Sequence, residues 1–148
     1  EAESEGVVIE YTSEYGNTKK AVDILAEKFR EKGCPKVAIH DLARTDMAEA
    51  VEDAFRYNKL ILATTTYNAD VFPFMKTFIE HLTERNYQNR TVAFVENGSW
   101  APTAAKVMKA KFENSQGIKF LENSITLKGG ISSENIEALK AMADEICS

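Results

Sequence analysis

Gly6-Val7-Val8-Ile9-Glu10-Tyr11, followed by Thr12-Ser13-Glu14-Tyr15-Gly16-Asn17-Thr18, is the stretch on which the reading of this chain turns. The first half is an apolar run of strand length. The second is a hydroxyl-rich turn, after which Ala21, Val22, Leu25 and Phe29 recur at helical spacing with Ile24 beside them. A strand, a turn and a helix in that order aim backbone N–H groups and the positive end of a helix dipole at whatever sits in the turn. Such a turn suits a phosphate. Ser13, Asn17 and Thr18 offer hydroxyl and amide donors, and Gly16 lets the backbone turn tightly. Lys19 and Lys20 come only later, inside the helix, so a dianion here would be held by N–H groups, hydroxyls and the dipole. The G-x-x-x-x-G-K-[ST] loop and the G-x-G-x-x-G fingerprint are both absent. A helix merely capped by Ser13 or Asn17 is the plainer alternative, and the turn alone does not choose.

Moving outward, Gly33 and Pro35 stop the first helix, and Val37-Ala38-Ile39 forms a short second strand. Asp46-Met47-Ala48-Glu49 has the form of a capping box, with Met47, Ala50, Val51 and Ala54 as the apolar face of a second helix. Leu60-Ile61-Leu62-Ala63 is a continuous apolar run, the mark of a strand buried on both faces. Pro73 can occupy the first turn of a third helix carrying Met75, Phe78, Ile79 and Leu82. Thr91 to Val95 is a fourth strand, and Pro102 opens a fourth helix with Ala104, Ala105, Met108 and Phe112 facing inward. Ile118 to Leu127 is a fifth strand region with a break expected near Glu122-Asn123. Ser132 or Ser133 caps the last helix, with Ile136, Leu139, Ala143 and Ile146 as its core positions. Five strands alternating with five helices predict an α/β fold, a parallel sheet covered on both faces.

The 148 residues make one domain, able to bury roughly two-thirds of the surface its unfolded chain exposes. A net charge of −5 argues against nucleic acid or an anionic membrane as partner, since either asks for a basic face. No apolar run approaches the ~20 residues of a membrane span. Cys34 and Cys147 make neither metal spacing nor a disulfide framework and read as incidental thiols of a reducing cytosol. His40 and His81 are far apart and receive no role, and no metal ligand set is expected. Residues 1–5, Glu1 to Glu5, are acidic and aperiodic and read as a leader or residual linker before a domain at 6–148.

Ligands of an open parallel sheet bind outside the carboxyl ends of the strands, where strand order reverses. Three exits there are unusually polar: the opening turn, Thr64-Thr65-Thr66-Tyr67-Asn68-Ala69-Asp70, and Glu96-Asn97-Gly98-Ser99-Trp100. The threonines at 64–66 could reflect strand propensity alone. Trp100, the only tryptophan, lies beside Gly98, where bare backbone can approach a ligand. A phosphate turn, hydroxyls for a polyol chain and two aromatics able to enclose a flat ring describe flavin mononucleotide (FMN) better than a sugar phosphate.

With those residues in view, Tyr11 to Thr18 resembles the flavodoxin phosphate signature, and the loops from Thr64 and Glu96 are similar to that family's two flavin-enclosing loops. The resemblance covers about residues 6–148. Asn97 to Ala104 and the Thr-Tyr-Asn run at 66–68 look most like the flavodoxin-like domain of A-type flavoproteins, the flavodiiron proteins. Several consequences follow as expectations. The fold should be a five-stranded, doubly wound, three-layer α/β/α sheet of order 2-1-3-4-5, an order for which flavodoxin is itself the standard example. The cofactor should be FMN. Ser13, Glu14, Tyr15, Gly16, Asn17 and Thr18 should hold its phosphate. Thr64, Thr65, Thr66, Tyr67 and Asn68 should run beside ribityl and ring, and Glu96, Asn97, Gly98, Ser99 and Trp100 should cover the ring's other side. The expected function is cytoplasmic electron transfer with a redox partner protein or an attached di-iron domain. A stand-alone NAD(P)H reductase of quinones or metals is the alternative. Glu14, Asp70 and Glu96 would oppose negative charge on a reduced ring.

Overall fold

The structure is a computed structural model that describes residues 2–13, 16–34, 36–67, 70–98, 104–122, 124–128 and 130–147, with backbone alone for residues 66, 67, 70 and 71. Strands β1 (Ser4–Tyr11), β2 (Val37–Asp41), β3 (Tyr57–Tyr67), β4 (Asp70–Val71), β5 (Thr91–Asn97), β6 (Lys119–Phe120) and β7 (Ile125–Leu127) alternate with helices α1 (Asn17–Glu31), α2 (Met47–Arg56), α3 (Pro73–Glu84), α4 (Ala104–Lys111) and α5 (Ser133–Ile146).

The sheet runs β2-β1-β3-β5-β6 and its long pairings are all parallel. β6 and β7 both pair with β5, so they are the two halves of the expected fifth strand, with the break where it was expected. This is the expected 2-1-3-4-5 order. β4 is an addition, a two-residue antiparallel return onto the end of β3. β1 already begins at Ser4, and the Glu3 N–H donates to the Arg56 carbonyl at 3.0 Å, so the end of the expected leader is part of the sheet.

Alternation along the strands divides the core in two. Val7, Ile9 and Tyr11 pack under α1 and α5 with Leu25, Phe29, Leu139 and Ala143. Val8, Leu60, Leu62 and Phe94 pack under α2, α3 and α4 with Val51, Phe78, Ile79 and Met108. Three layers result, as expected. Local chemistry explains most helix ends. Gly33, at φ 73°, closes α1 in a left-handed turn in which the Cys34 N–H reaches the Phe29 carbonyl at 3.1 Å. Pro73 opens α3, and Ser132 and Asn135 form a reciprocal capping box on α5.

Several expectations need correction. Asp46 sits at the N-cap of α2 but its side chain makes no capping bond, so the box read at 46–49 does not form. Ile136 is 39% exposed and Met142 takes the buried place, because α5 meets the sheet with a stripe set one turn further along. Cys34 and Cys147 are not separate thiols. They are joined as a disulfide, with Cα atoms 6.2 Å apart, because α1 and α5 lie side by side and end at the same edge of the sheet. Pro35 and Pro102 fall outside the described residues.

Candidate functional site

The chain leaves β1 for β2 on one side and returns across β1 to β3 on the other, so order reverses between β1 and β3. At the carboxyl edge the register aligns Tyr11 with Ala63, Ala63 with Val95, Thr64 with Glu96 and Thr65 with Asn97. Three polar exits that are far apart in sequence therefore stand side by side. β7 extends the row, pairing Asn97 with Leu127, and the Gly98 N–H donates to the Leu127 carbonyl at 3.0 Å.

Between β1 and β3 the Thr12 and Thr64 hydroxyls share a 2.5 Å hydrogen bond, with both residues buried. Thr12 is a site-forming residue that sequence reading left out of the candidate set. In sequence it is the first residue of the hydroxyl-rich turn, and only the register reveals its partner.

The turn after Thr12 starts α1 at a left-handed glycine. Gly16 occupies the N-cap at φ 87°, ψ −13°, a left-handed conformation that a side chain disfavours, and open space surrounds the position where a Cβ would stand. The Ser13 hydroxyl accepts from the Gly16 N–H at 3.2 Å and the Lys19 N–H at 3.3 Å, a loose version of the plain cap read from the sequence. The first turn of α1 holds no acidic residue, so nothing there opposes an anion at the dipole's positive end. Lys19 is turned to Asp23, 3.1 Å away and one helical turn on, and supplies no cation to the turn.

Two hydroxyls at this edge have no hydrogen-bond partner among the described residues. Thr18 is 1% exposed and its Oγ1 is unpaired, and the Oγ1 of Thr65 is likewise buried without a hydrogen bond. Both belong to the α1 side of the sheet, Thr18 as the second residue of the helix and Thr65 by alternation from Ile61 and Ala63. A buried hydroxyl without a partner costs free energy, and a ligand oxygen arriving between these elements would recover it. The donor set is neutral and rich in hydroxyl and N–H, which fits a phosphate with a polyol chain attached.

Glu96 does something other than face a ring edge. Its Oε1 accepts from the Ala105 N–H at 3.1 Å, at the start of α4, and its Oε2 accepts from the Thr126 hydroxyl at 3.0 Å. The carboxylate caps a helix and clamps β7, so its charge is compensated by the dipole at the α4 N-terminus. Asn135, already in the α5 cap, donates to the Thr126 carbonyl at 3.0 Å and extends the brace. No sequence signal marks these partners. Of the remaining candidates, Glu14, Tyr15, Asn68, Ser99 and Trp100 lie outside the described residues, as do the side chains of Thr66, Tyr67 and Asp70. Among the described residues no group of three or more His, Cys, Asp or Glu could hold a metal, and no helix is long and apolar enough to cross a membrane.

A cavity of about 570 Å³ lies at the opposite edge, between the turns at Thr83–Gln88 and Lys111–Gln116. Its walls mix amides and hydroxyls with one carboxylate, Glu84, one ammonium, Lys111, and the Tyr87 ring. The carboxyl edge is the better site despite that volume, because unpartnered buried hydroxyls, a helix start and the reversal of strand order coincide there.

Comparison with known proteins points the same way. The family profile described as a flavodoxin domain matches residues 8–139. The rubredoxin-oxygen oxidoreductase of Megalodesulfovibrio gigas is 24% identical over 146 residues, which is 95% of this chain and 34% of that protein. In structure, the rubredoxin oxygen:oxidoreductase of Desulfovibrio gigas superposes with a TM-score of 0.90 at 22% identity, covering 99% of this chain and 36% of that one. A flavodoxin from the domain Archaea superposes with a TM-score of 0.81 at 15% identity, covering 96% of both chains. The chain thus spans about a third of the oxidoreductase it matches and nearly the whole of the archaeal flavodoxin chain.

Proposed function

The chain belongs to the flavodoxin domain family and is an FMN-binding electron-transfer module, and from that premise we propose how its residues hold the cofactor and what larger system it serves. Thr18, Ser13 and the N–H groups at the start of α1 hold the phosphate. Thr12 and Thr64 floor the site through their shared hydrogen bond. Thr65 and Asn97, in register on neighbouring strands, border the ribityl chain and the ring. Bound FMN supplies the one- and two-electron chemistry. The protein binds it, orients it and closes water out of the strand ends. The observation that carries this reading is the pair of buried, unpartnered hydroxyls on Thr18 and Thr65, set at the edge where the helix dipole also favours a phosphate.

The larger system is a flavodiiron-type protein of the cytoplasm, in which this domain passes electrons to a di-iron domain or receives them from a redox partner protein. The share of chain matched in the oxidoreductase relatives supports that setting. A stand-alone NAD(P)H reductase is not favoured by the family membership. The decisive measurement is the visible spectrum of the purified chain with stoichiometric analysis of the flavin released on denaturation. One FMN per chain, with binding weakened in Thr18→Val, is the expected result. A colourless protein that takes up no added FMN would overturn the assignment.

A further inference from the structure

We propose that Cys34, Cys147 and the cavity beside them form a thiol–disulfide exchange site for small anionic thiols, a second redox centre at the opposite edge of the sheet from the flavin loops. Cys34 follows the last turn of α1 and Cys147 caps α5, and each is only partly buried. Their Cα separation of 6.2 Å lies within the range a disulfide spans without moving backbone. A cavity of about 280 Å³ opens directly on the pair, lined also by Glu5, Gly6, Lys36 and Lys59. A small reagent can therefore reach the sulfurs, which a buried structural disulfide would not permit.

The local charges suit exchange with an anion. Both sulfurs stand at helix C-termini, where the dipole disfavours a thiolate. Lys36 and Lys59 on the cavity wall outnumber the one carboxylate there, Glu5, oppose that field and attract a carboxylate-bearing partner. Lys59 also donates through Nζ to the Ile146 carbonyl, which fixes the residue before Cys147. Lys32 and Asp144, 2.6 Å apart, pair across the same two helix ends, beside the packing of α1 against α5.

The reaction balances with a low-molecular-mass disulfide of the glutathione type as oxidant. One cysteine thiol loses its proton to solvent, and its thiolate attacks a sulfur of the small disulfide. A mixed disulfide forms and the first small thiolate departs, taking up a proton. The second cysteine, also deprotonated to solvent, attacks the mixed disulfide at the protein sulfur and releases the second small thiol. The protein loses two electrons and the small disulfide gains them. The closed bond spans 113 residues of sequence and restricts the unfolded chain strongly.

The test equilibrates the intact chain in buffers of graded reduced-to-oxidised glutathione ratio, acid-quenches, alkylates free thiols and reads intact mass. The expected result is a single conversion from doubly alkylated chain to one lacking two hydrogens and taking up no alkyl group. The oxidised form should melt several degrees higher. Cys147→Ser should accumulate a persistent glutathione adduct on Cys34. Lys36→Gln, on the surface, should slow the reaction with glutathione disulfide but not with cationic cystamine. Independent alkylation of the two cysteines at every ratio, or adducts on the unaltered chain without ring closure, would overturn the proposal. Equal slowing of both reagents by Lys36→Gln would overturn its preference for anions.

Discussion

The two edges of the sheet treat polar groups in opposite ways. At the amino edge they are tied to the chain itself. Arg90 is 4% exposed, and its guanidinium donates to the carbonyls of Tyr57 at 3.1 Å, Gln88 at 2.6 Å and Phe55 at 2.7 Å, while lying over the Tyr87 ring. Asn58 accepts from the Gly6 N–H, and the cysteine pair joins α1 to α5. At the carboxyl edge Thr18 and Thr65 bury hydroxyls with no partner among the described residues, and the helix that begins at Gly16 is capped only by the loose contacts of the Ser13 hydroxyl. The first edge finishes the fold. The second leaves donors unspent, and stability at one edge makes that incompleteness tolerable at the other. Tyr87, whose buried hydroxyl is unpaired, is the amino edge's exception, and burial raises its pKa well above the ordinary phenol range.

The largest effect should come from breaking the closed edge. Arg90→Met removes three charge-assisted hydrogen bonds and strands carbonyls at the junction of α2, β3 and β5, at a cost of about 4 kcal/mol. Urea denaturation of the apoprotein measures it. A loss below about 1 kcal/mol would mean those carbonyls are satisfied by water and the edge is not closed by Arg90.

Glu10 sharpens the contrast, because it is unpartnered without being at either edge. It points from β1 into the α2 side of the core, fully buried, with both carboxylate oxygens lacking a hydrogen bond. Desolvation, reinforced by the charge of Asp53, raises its pKa from 4.5 to about 10. Asp53 itself is held by His40 Nε2 at 2.7 Å and by Arg56 at 3.1 Å. The folded state therefore keeps a proton on Glu10 that the unfolded state releases above its own pKa of 4.5. Stability from this group is fully present below the unfolded value and falls as pH rises toward 10. The slope approaches ~1.4 kcal/mol per pH unit, or about 3 kcal/mol between pH 6 and 8. Glu10→Gln should flatten that part of the profile in thermal or urea melts at both pH values. A wild-type profile already flat across this interval would show that Glu10 finds a partner. Saturating FMN should leave the slope in place, since Glu10 lies below the ligand edge rather than in it.

How far the sequence discloses this architecture depends on whether the relevant physics is local. The strand–turn–helix at 6–32 is legible because apolar runs, Gly16 and helical spacing all act over a few residues. The three polar exits are legible as polar segments for the same reason, but their conformation is not: Thr64 to Tyr67 continue β3 and Glu96 and Asn97 end β5, strand rather than loop, because the pairing of β3 with β5 carries on through them. Nor is what joins them legible. Thr12 and Thr64 are 52 residues apart, and their hydrogen bond exists only because β1 and β3 are neighbours in register. Glu96 reads as a loop carboxylate facing a ring, yet it caps a helix nine residues on and clamps a threonine thirty residues on. Cys34 and Cys147 look incidental because no spacing rule covers a pair 113 residues apart. Ile136 fits an apolar stripe, yet it is exposed and Met142, off that stripe, is buried instead. Glu10, inside an apolar run, is the one sequence anomaly that could have been flagged without a structure.

The finest test separates hydroxyls that hold the fold from those reserved for the ligand. Thr12→Val breaks the 2.5 Å bond to Thr64 and leaves the Thr64 hydroxyl buried with only a 3.4 Å contact to the Thr65 carbonyl. It should destabilise the apoprotein by about 1 kcal/mol. Thr18→Val and Thr65→Val remove hydroxyls that bond nothing among the described residues, so apoprotein stability should hold or rise slightly. Their cost should appear in FMN affinity, where one lost hydrogen bond of about 1.4 kcal/mol weakens binding roughly tenfold. Flavin-fluorescence titration alongside apoprotein melts reads both quantities for the three variants. If Thr18→Val and Thr65→Val lower apoprotein stability as much as Thr12→Val while binding FMN normally, the unpaired hydroxyls are not reserved for a ligand, and the contrast between the two edges fails where it matters most.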